Sequence, residues 1–420
     1  MNKYKICIYA ICKNEEKYID TWYNSVKEAD KIFILDTGST DNTFNLLKDK
    51  EKVTIKKEII SPWRFDVARN KSLDMVDKDT DICICIDLDE ILLPGWRKIL
   101  EQNWKEDTTR VYYTYNWKLD NNNRPLVTFY TDKIHKRNGY KWTHPVHEVL
   151  TPVIIEHKII IKDIILNHYP DLNKSRSNYL PLLEMSVKES PNDDRNMHYL
   201  GREYMYHQKY NEAIDILIKH LNLKTATWKD ERAASMRFIG RCYNYLERYD
   251  EAILWYKKAI KEAPYLRDPY VELALLYHKL NKNNKVIYYT NKALSIKNKD
   301  MTYINEIFSW DNTIYDIRSI AFYNIGKYKA SLKNINIAIS MDKTNERLIN
   351  NKKIINKLKE ETNNSPYIVY REKYINNIKI DIIYNEVLTD QDKMSNFIYR
   401  SLDHIEKIYQ EKELLYDVIK

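Results

Sequence analysis

The first 170 residues alternate short, wholly apolar runs with amphipathic stretches. In chain order these segments are YKICIYAI, NEEKYIDTWYNSVKEA, DKIFILD, NTFNLLKDK and DICICID. Runs of β-branched residues that are apolar at every position are typical of strands buried on both faces. Their alternation with helical stretches indicates βαβ units. The pattern therefore predicts an α/β domain over residues 1–170, with a mostly parallel sheet covered by helices.

From about Asn173 the pattern becomes helical and repetitive. LGREY at Leu200 is followed by YNEA at Tyr210, and IGRCY at Ile239 is followed by YDEA at Tyr249. With two weaker copies, small residues recur at 201, 240, 274 and 319, in steps of 39, 34 and 45 residues. The step of 34 equals the tetratricopeptide period, and the longer steps suit longer loops. We predict an all-α, tetratricopeptide-like solenoid over residues 171–360.

The remaining segment, 361–420, has a different pattern. YIVYREKY and IKIDIIYN flank Ile375–Asn377 and predict a hairpin, and a helix is expected from about Asp390. We interpret this segment as a cap on the last repeat, with a binding element as the alternative. Its role stays unassigned.

Composition narrows the class of protein. Of the 420 residues 44% are hydrophobic, and no stretch approaches the roughly 20 apolar residues of a membrane span. Five cysteines without metal-ligand spacing, and an N-terminus without a secretory signal, predict buried, reduced thiols in a cytoplasmic protein. The formal charge of +8 is spread along lysine-rich segments, so we expect no nucleic-acid partner.

The first candidate for chemistry is the acidic sequence DLDE, which follows the apolar run DICICI. Strand alternation places Asp87 and Asp89 on one side, at the carboxyl end where open α/β sheets bind ligands. Two converging carboxylates repel each other unless a cation joins them. Oxygen ligands suit Mg²⁺ or Mn²⁺, which then bridge a substrate diphosphate. The alternative is an acidic loop that caps the next helix.

Two other polar turns follow the earlier strands. NEE at Asn14 comes after the first strand, and DTGSTDNT at Asp36 comes after the second. Each turn could be plain helix capping, because Asn14, Ser39 and Asp41 are good N-cap residues. Three successive strands that end in acidic and polar groups at one sheet edge favour a nucleotide crevice.

Together these motifs resemble the family 2 glycosyltransferases of the GT-A fold. The resemblance rests on NEE, DTGSTDNT, DLDE, FDVARN at Phe65 and VHE at Val146, and the repeats extend it to about residue 350. It looks closest to bacterial peptide S- and O-glycosyltransferases of the sublancin-glycosylating type. Thr37 departs from the broader family, where many members have a second Asp. The Gln-x-x-Arg-Trp motif of processive synthases is absent, so single-sugar transfer fits better than polymer synthesis.

The resemblance implies roles for individual residues. It assigns the nucleotide-sugar pocket to Ile11, Glu15, Asp36, Arg69, Asn70 and Asp87. The first three line the uracil and ribose, and Asp87 faces the ribose or a metal-bound water. Arg69 offers a planar donor fork to anionic oxygen, with an exposed helix-surface arginine as the alternative. His168, Lys174 and Arg176 either close over the diphosphate or are solvated connector charges.

Asp89 is the predicted ligand of Mn²⁺ or Mg²⁺. His147 is the predicted third ligand, because a histidine beside a carboxylate pair completes a metal site, and His144 is the competing choice. Glu148 is the candidate general base that removes the acceptor proton, or else it orients His147. Asp132 is another candidate base, and a thiolate acceptor would need none.

The predicted function is that of an inverting, metal-dependent hexosyltransferase. It would move one sugar, glucose or N-acetylglucosamine, from a UDP-sugar to a Ser, Thr or Cys side chain of a peptide or protein. One alternative is transfer to a cell-surface glycan precursor, with the repeats forming a homodimer. Another is a non-catalytic repeat scaffold whose sheet domain is a relic.

Overall fold

The computed structural model describes residues 3–171, 179–364, 369–375 and 378–383. The chain forms two compact units. The first comprises Met1–Leu266 with Asn298–Ile307, and the second comprises Arg267–Lys297 with Phe308–Lys420. The domain boundaries at 170 and 360 stay predictions, since compactness alone does not locate them.

The sheet part of the first unit alternates strands and helices. Its strands are β1 (Ile6–Cys12), β2 (Lys31–Asp36), β3 (Val53–Lys57), β4 (Ile82–Cys85), β5 (Glu90–Leu92), β6 (Arg110–Leu119), β7 (Pro125–Lys136), β8 (Tyr140–Thr143), β9 (Val149–Pro152) and β10 (Lys158–His168). Its helices are α1 (Ile19–Val26), α2 (Thr43–Lys48), α3 (Phe65–Asp74) and α4 (Trp96–Asn103). Eight strands form one sheet in the order β3-β2-β1-β4-β7-β6-β10-β5, and β8 pairs with β9. The first four strands of that order run parallel, which confirms the predicted α/β fold.

Strand β1 shows why the apolar runs lack alternation. Ile6, Ile8 and Ala10 pack into a core on one face of the sheet. Cys7 and Tyr9 pack into a second core on the other face. Both faces are covered, so every position of the strand is buried, as expected for a central parallel strand.

The second core contains a closed chain of hydrogen bonds. Trp142 Nε1 donates to the Tyr9 hydroxyl at 2.9 Å, and that hydroxyl lies 2.9 Å from His135 Nε2. His135 Nδ1 lies 2.6 Å from the carbonyl of Lys136, which can only accept. Nδ1 therefore carries the proton, and Nε2 accepts from Tyr9. The network holds His135 as a neutral imidazole in the core.

This arrangement predicts a pH-dependent free energy of unfolding. Burial lowers the pKa of His135 to about 3, from an ordinary value of 6.5. Between these pH values the unfolded chain binds the extra proton, so stability falls as the pH falls below about 6.5. The slope from this residue approaches ~1.4 kcal/mol per pH unit. Urea unfolding measured from pH 7 to pH 4 should show this slope. The variant His135→Gln, which keeps an acceptor for Tyr9, should lose the part of the slope that His135 contributes. An unchanged slope in that variant would contradict the assignment.

Helices make up the rest of the described chain, apart from one hairpin. The first unit contains α5 (Tyr179–Glu189), α6 (Asp194–Tyr206), α7 (Tyr210–Asn222), α8 (Lys229–Tyr245) and α9 (Tyr249–Glu262). The second contains α10 (Asp268–Lys279), α11 (Asn283–Ser295), α12 (Thr313–Asn324), α13 (Tyr328–Met341) and α14 (Glu346–Asn364). The predicted all-helical, tetratricopeptide-like region is confirmed.

Four helices end in the same way, at the aromatic positions of the sequence repeat. The carbonyls of Tyr204, Tyr243, Tyr277 and Phe322 accept from the backbone N–H five residues later, at 2.8–2.9 Å. The residue before each donor has a positive φ, and these residues are Gln208, Glu247, Asn281 and Gly326. This is the Schellman cap. It starts the turn into the next helix at the register that the sequence predicts.

The small residues of the repeat allow close packing within a helix pair. A Cβ atom at Gly240 would lie 2.7 Å from Cε1 of Tyr256, and one at Gly201 would overlap the Leu217 side chain. The aromatic ring of α9 thus fills the space that Gly240 leaves on α8. Ala274 and Ser319, at the weaker copies, are fully buried.

In the C-terminal segment, β11 (Val369–Ile375) pairs antiparallel with β12 (Ile378–Ile383). The helix predicted from Asp390 lies outside the described residues. All five cysteines are buried thiols, as predicted. Among the helices that the structure describes, none has the length and apolarity of a membrane span.

Candidate active site

The carboxyl ends of three adjacent strands place the polar motifs side by side. Asp36 ends β2 directly opposite Cys12, the last residue of β1. Strand β4 lies on the other side of β1, and Asp87 follows it after Ile86. Strand β10 brings His168 opposite Glu90, at the end of DLDE. The acidic motif DLDE therefore follows β4 and leads into β5, which pairs with the distant strand β10.

The NEE and DTGSTDNT turns interlock. The Asn14 side chain accepts from the N–H of Thr40 at 2.8 Å, and the Asn14 N–H donates to Ser39 Oγ at 3.0 Å. The Glu15 N–H donates to Thr43 Oγ1 at 2.8 Å, and Glu15 is buried. The predicted neighbourhood of these two turns is confirmed.

Asp36 is fully buried at the end of β2. Its Oδ1 accepts from the N–H groups of Gly38 and Ser39 at 2.8 and 2.7 Å, which fixes the start of the loop. Its Oδ2 is enclosed and has no hydrogen-bond partner within the described residues. Ile11 is partly exposed at the end of β1.

Asp87 is held by two cations. Arg69 donates to both of its carboxylate oxygens, at 2.8 and 2.9 Å, and Lys133 lies 3.4 Å away. Burial opposes the charged form, but Arg69 and Lys133 hold the pKa of Asp87 well below its usual range. Asp87 is therefore ionised, and it is fixed in place by a bidentate guanidinium pair.

Arg69 joins two of the sequence motifs. It is only 4% exposed, which excludes the alternative of an exposed helix-surface arginine. Besides Asp87, it pairs through Nε with Glu148 Oε1 at 2.5 Å, and it lies over the Trp142 ring at 5.2 Å. Glu148 thus enters the site through its pair with Arg69.

Asn70, the next residue on α3, is used by the backbone. Its amide donates to the Trp142 carbonyl at 2.8 Å and accepts from the Trp142 N–H at 2.9 Å. These two bonds tie α3 to β8 and fix the helix turn that carries Arg69. Asn70 therefore positions the site in this structure.

Lys133 is a site residue that the sequence motifs do not reveal. It bridges Asp87 and Glu90, with a distance of 3.1 Å to Glu90 Oε1. Glu90 is 2% exposed and also accepts from the Tyr115 hydroxyl at 2.8 Å. Its neighbour on β7, Asp132, pairs with Arg110 at 2.9 Å. No short motif marks Lys133, and the pairing of β6 with β7 has a register shift at this point, so strand alternation does not reveal its direction.

Asp89 meets His168. The Nε2 atom of His168 lies 3.5 Å from Asp89 Oδ2, and the Tyr169 N–H donates to the Asp89 carbonyl at 2.8 Å. His168 Nδ1 lies 3.0 Å from the Trp117 carbonyl, so Nδ1 carries a proton and Nε2 faces the carboxylate. Burial opposes the imidazolium, but Asp89 raises the pKa of His168.

His147 and His144 have other surroundings. The His147 ring stacks on Tyr199, with 4.0 Å between ring centroids and an interplanar angle of 15°. His144 Nε2 lies 3.3 Å from Asp193, and His144 Nδ1 contacts Asn196 at 2.8 Å. The histidine that the structure brings to Asp89 is therefore His168, and His147 as third ligand stays a prediction. Lys174 and Arg176 lie outside the described residues.

The sequence of the sheet domain matches a known family. Residues 7–156 match the family model "Glycosyl transferase family 2". This part of the chain is similar to family 2 glycosyltransferase domains. The chain is accordingly a glycosyltransferase, and enzymes of that family take a nucleotide-sugar donor and an acceptor, commonly with a divalent metal.

The solved structures similar to this chain include repeat proteins. YrrB, described as a TPR protein with an unusual peptide-binding site, is 16% identical over 42% of this chain and 84% of its own, with a TM-score of 0.34. A thermophilic TPR protein of Thermus thermophilus, TTC0263, is 17% identical over 42% and 89%, with a TM-score of 0.30. MamA is 21% identical over 40% and 83%, with a TM-score of 0.31. No curated protein sequence matches the chain.

Proposed function

We propose that the enzyme transfers a single sugar from a UDP-sugar to a Ser, Thr or Cys side chain of a peptide or protein, with inversion and with a bound Mn²⁺ or Mg²⁺. The observation that carries this proposal is the meeting of Asp89 with His168, beside the ionised Asp87, at the carboxyl edge of a family 2 domain. A carboxylate oxygen and an imidazole nitrogen are a donor set that Mn²⁺ accepts.

The metal would be held by Asp89 and His168. When bound, it would neutralise the negative charge that develops on the departing diphosphate. Asp87 would face the donor with a fixed orientation, because Arg69 and Lys133 hold it on two sides. A carboxylate fixed in this way needs no reorganisation when the donor binds.

The end of β2 supports a nucleobase pocket. The Oδ2 atom of Asp36 is a buried acceptor that has no hydrogen-bond partner within the described residues. A buried acceptor of this kind costs about 1–3 kcal/mol if it stays unpaired. An N–H group of a nucleobase such as uracil would satisfy it. Glu15 and Ile11 lie at the neighbouring strand end, as the resemblance implies.

A donor screen tests the nucleotide site and names the sugar. The full chain is heated with Mn²⁺ and UDP-glucose, UDP-N-acetylglucosamine, GDP-mannose or no nucleotide. We expect the physiological UDP-sugar to raise the midpoint of thermal unfolding by several degrees, since saturation at ~100 times Kd adds about 2.7 kcal/mol. Transfer of label to peptides that contain Ser, Thr or Cys, rather than to water alone, then tests the acceptor. No stabilisation by any nucleotide-sugar with Mn²⁺ would contradict the proposal.

The metal-ligand assignment gives a separate prediction. His168→Ala should weaken the binding of Mn²⁺ and of the UDP-sugar at least 10-fold, because it removes one of the two proposed ligands. His147→Ala should leave Mn²⁺ affinity within about 2-fold, since the ring that it removes stacks on Tyr199. Isothermal titration of both folded variants compares them. Loss of Mn²⁺ binding in His147→Ala but not in His168→Ala would restore His147 as the ligand.

A further inference from the structure

We propose a second metal site, for a divalent transition metal such as Zn²⁺, formed by Asp194, His220 and Glu231. Helices α6, α7 and α8 each supply one of these residues. One ligand atom from each residue lies within 4.8 Å of the other two. The site is separate from the sheet edge and does not depend on the proposed donor.

His220 has the features of a ligand that awaits a cation. It is fully buried, and its Nε2 makes no hydrogen bond within the described residues. Nε2 instead faces Glu231 Oε1 at 3.5 Å. The other ring nitrogen, Nδ1, lies 2.9 Å from Ser235 Oγ. Metal-bound histidines are commonly oriented in this way, with the second nitrogen held by a polar group.

Ser235 determines which ring nitrogen of His220 carries the proton. Ser235 Oγ also lies 2.7 Å from His198 Nδ1, and a hydroxyl has one proton to donate. When Ser235 donates to His198, it accepts from His220 Nδ1, and His220 Nε2 then carries the lone pair that a metal ion needs. When Ser235 donates to His220 instead, Nε2 carries the proton and faces Glu231 Oε1, so binding of the metal ion displaces that proton.

The charges around the site favour a cation. Glu231 is 3% exposed, and Asp194 on α6 adds a second carboxylate. Arg195 contributes a positive charge nearby, but its guanidinium packs on the Tyr199 ring at 5.3 Å. A divalent ion would neutralise both carboxylates.

The distances suit a small tetrahedral ion. Zn–N and Zn–O bonds of about 2.0–2.1 Å separate two ligands by roughly 3.3 Å, close to the 3.5 Å between His220 and Glu231. Tyr303 donates to Glu231 Oε2 at 2.7 Å, which leaves Oε1 for the metal. Asp194 is partly exposed, so it can close on the ion and provides the route of entry. One nitrogen and two oxygen donors select Zn²⁺ over Mg²⁺.

Metal analysis of the full chain tests the site. The Asp89→Asn variant is used as background, so that the proposed sheet-edge metal does not contribute. After incubation with Zn²⁺ and dialysis we expect about one equivalent to be retained. Co²⁺ should give a visible absorption band in its place. Adding His220→Ala should abolish both signals, and chelation should lower the midpoint of thermal unfolding of the background variant only.

The chain offers a matched control. His207 and Glu203 form a second histidine–glutamate pair at 3.5 Å, but His207 is 43% exposed. His207→Ala should retain the metal. If His220→Ala fails to fold, Ser235→Ala keeps every ligand and should weaken Zn²⁺ binding 10- to 100-fold. A folded background chain that retains no Zn²⁺ and gives no Co²⁺ band would overturn the proposal, as would equal metal loss in His207→Ala.

Discussion

Replacing Asp89 with asparagine is expected to lower UDP-sugar turnover 100- to 1,000-fold while the fold stays intact. The substitution keeps the size of the side chain and removes the charge that would hold the metal. Loss of one electrostatic contact to charge that develops in a transition state typically has an effect of this size. The Asp89–His168 pair is partly exposed, so the free energy of unfolding should change by less than about 1 kcal/mol.

Turnover is measured as release of UDP from the donor, with and without added Mn²⁺. The matched control is Asp20→Asn, which removes an exposed carboxylate on α1 that pairs with Lys50. The control should retain wild-type turnover and its dependence on Mn²⁺. Turnover that survives in Asp89→Asn and still responds to Mn²⁺ would show that Asp89 is not the metal ligand.

The sequence predicts most of the fold because both parts depend on local periodicity. Apolar runs such as that around Ile8 reveal strands covered on two faces, and this is what the two cores on either side of β1 show. The aromatic positions at Tyr204 and Tyr243 mark the helix ends that the Schellman caps occupy. In the 45-residue step, the pattern shows only an insertion. It cannot show that Asn298–Ile307 belongs to the first unit, because that depends on contacts with distant residues.

The candidate site, like the fold, has some parts that the sequence predicts and others that depend on tertiary contacts. DLDE, NEE and DTGSTDNT are recognised because each is a short motif at a strand end. The pairing of Asp89 with His168 depends on the register of β10 against β5, which joins His168 to Glu90. Local adjacency instead favours His147, which follows the patterned stretch before VHE. The burial of Arg69 between Asp87 and Glu148 is likewise a tertiary property, since both partners come from other segments.

Replacing Arg69 is expected to have the largest effect on stability. Arg69→Met would leave the carboxylates of Asp87 and Glu148 without the guanidinium that joins them. Removing one partner of a buried ion pair typically costs about 3–5 kcal/mol, so we expect the free energy of unfolding to fall by that amount. Arg69→Lys keeps the charge but cannot donate to both carboxylates in the same geometry, and it should recover only part of the loss. Urea unfolding of the three proteins measures the series.

The same arginine decides how Glu148 acts. Glu148 is paired with Arg69 and its side chain is 12% exposed, so we expect it to be a positioning residue rather than the general base. Glu148→Gln should then weaken donor binding and lower stability. In the double variant with Arg69→Met, the losses should fall short of their sum by about 1–3 kcal/mol, since each residue acts through the other.

A general base would give a different pattern. Glu148→Gln would lower kcat 100- to 10,000-fold with unchanged donor affinity, remove the acidic limb of the pH profile and leave stability near that of the wild type. Additive effects with Arg69→Met would accompany it. The outcome also bears on the acceptor. Asp132, the other candidate base, pairs with Arg110, so with Glu148 as a positioning residue the acceptor that fits best is a cysteine thiolate, which attacks without a base. A positioning role for Glu148 therefore predicts faster transfer to a Cys peptide than to the matched Ser peptide.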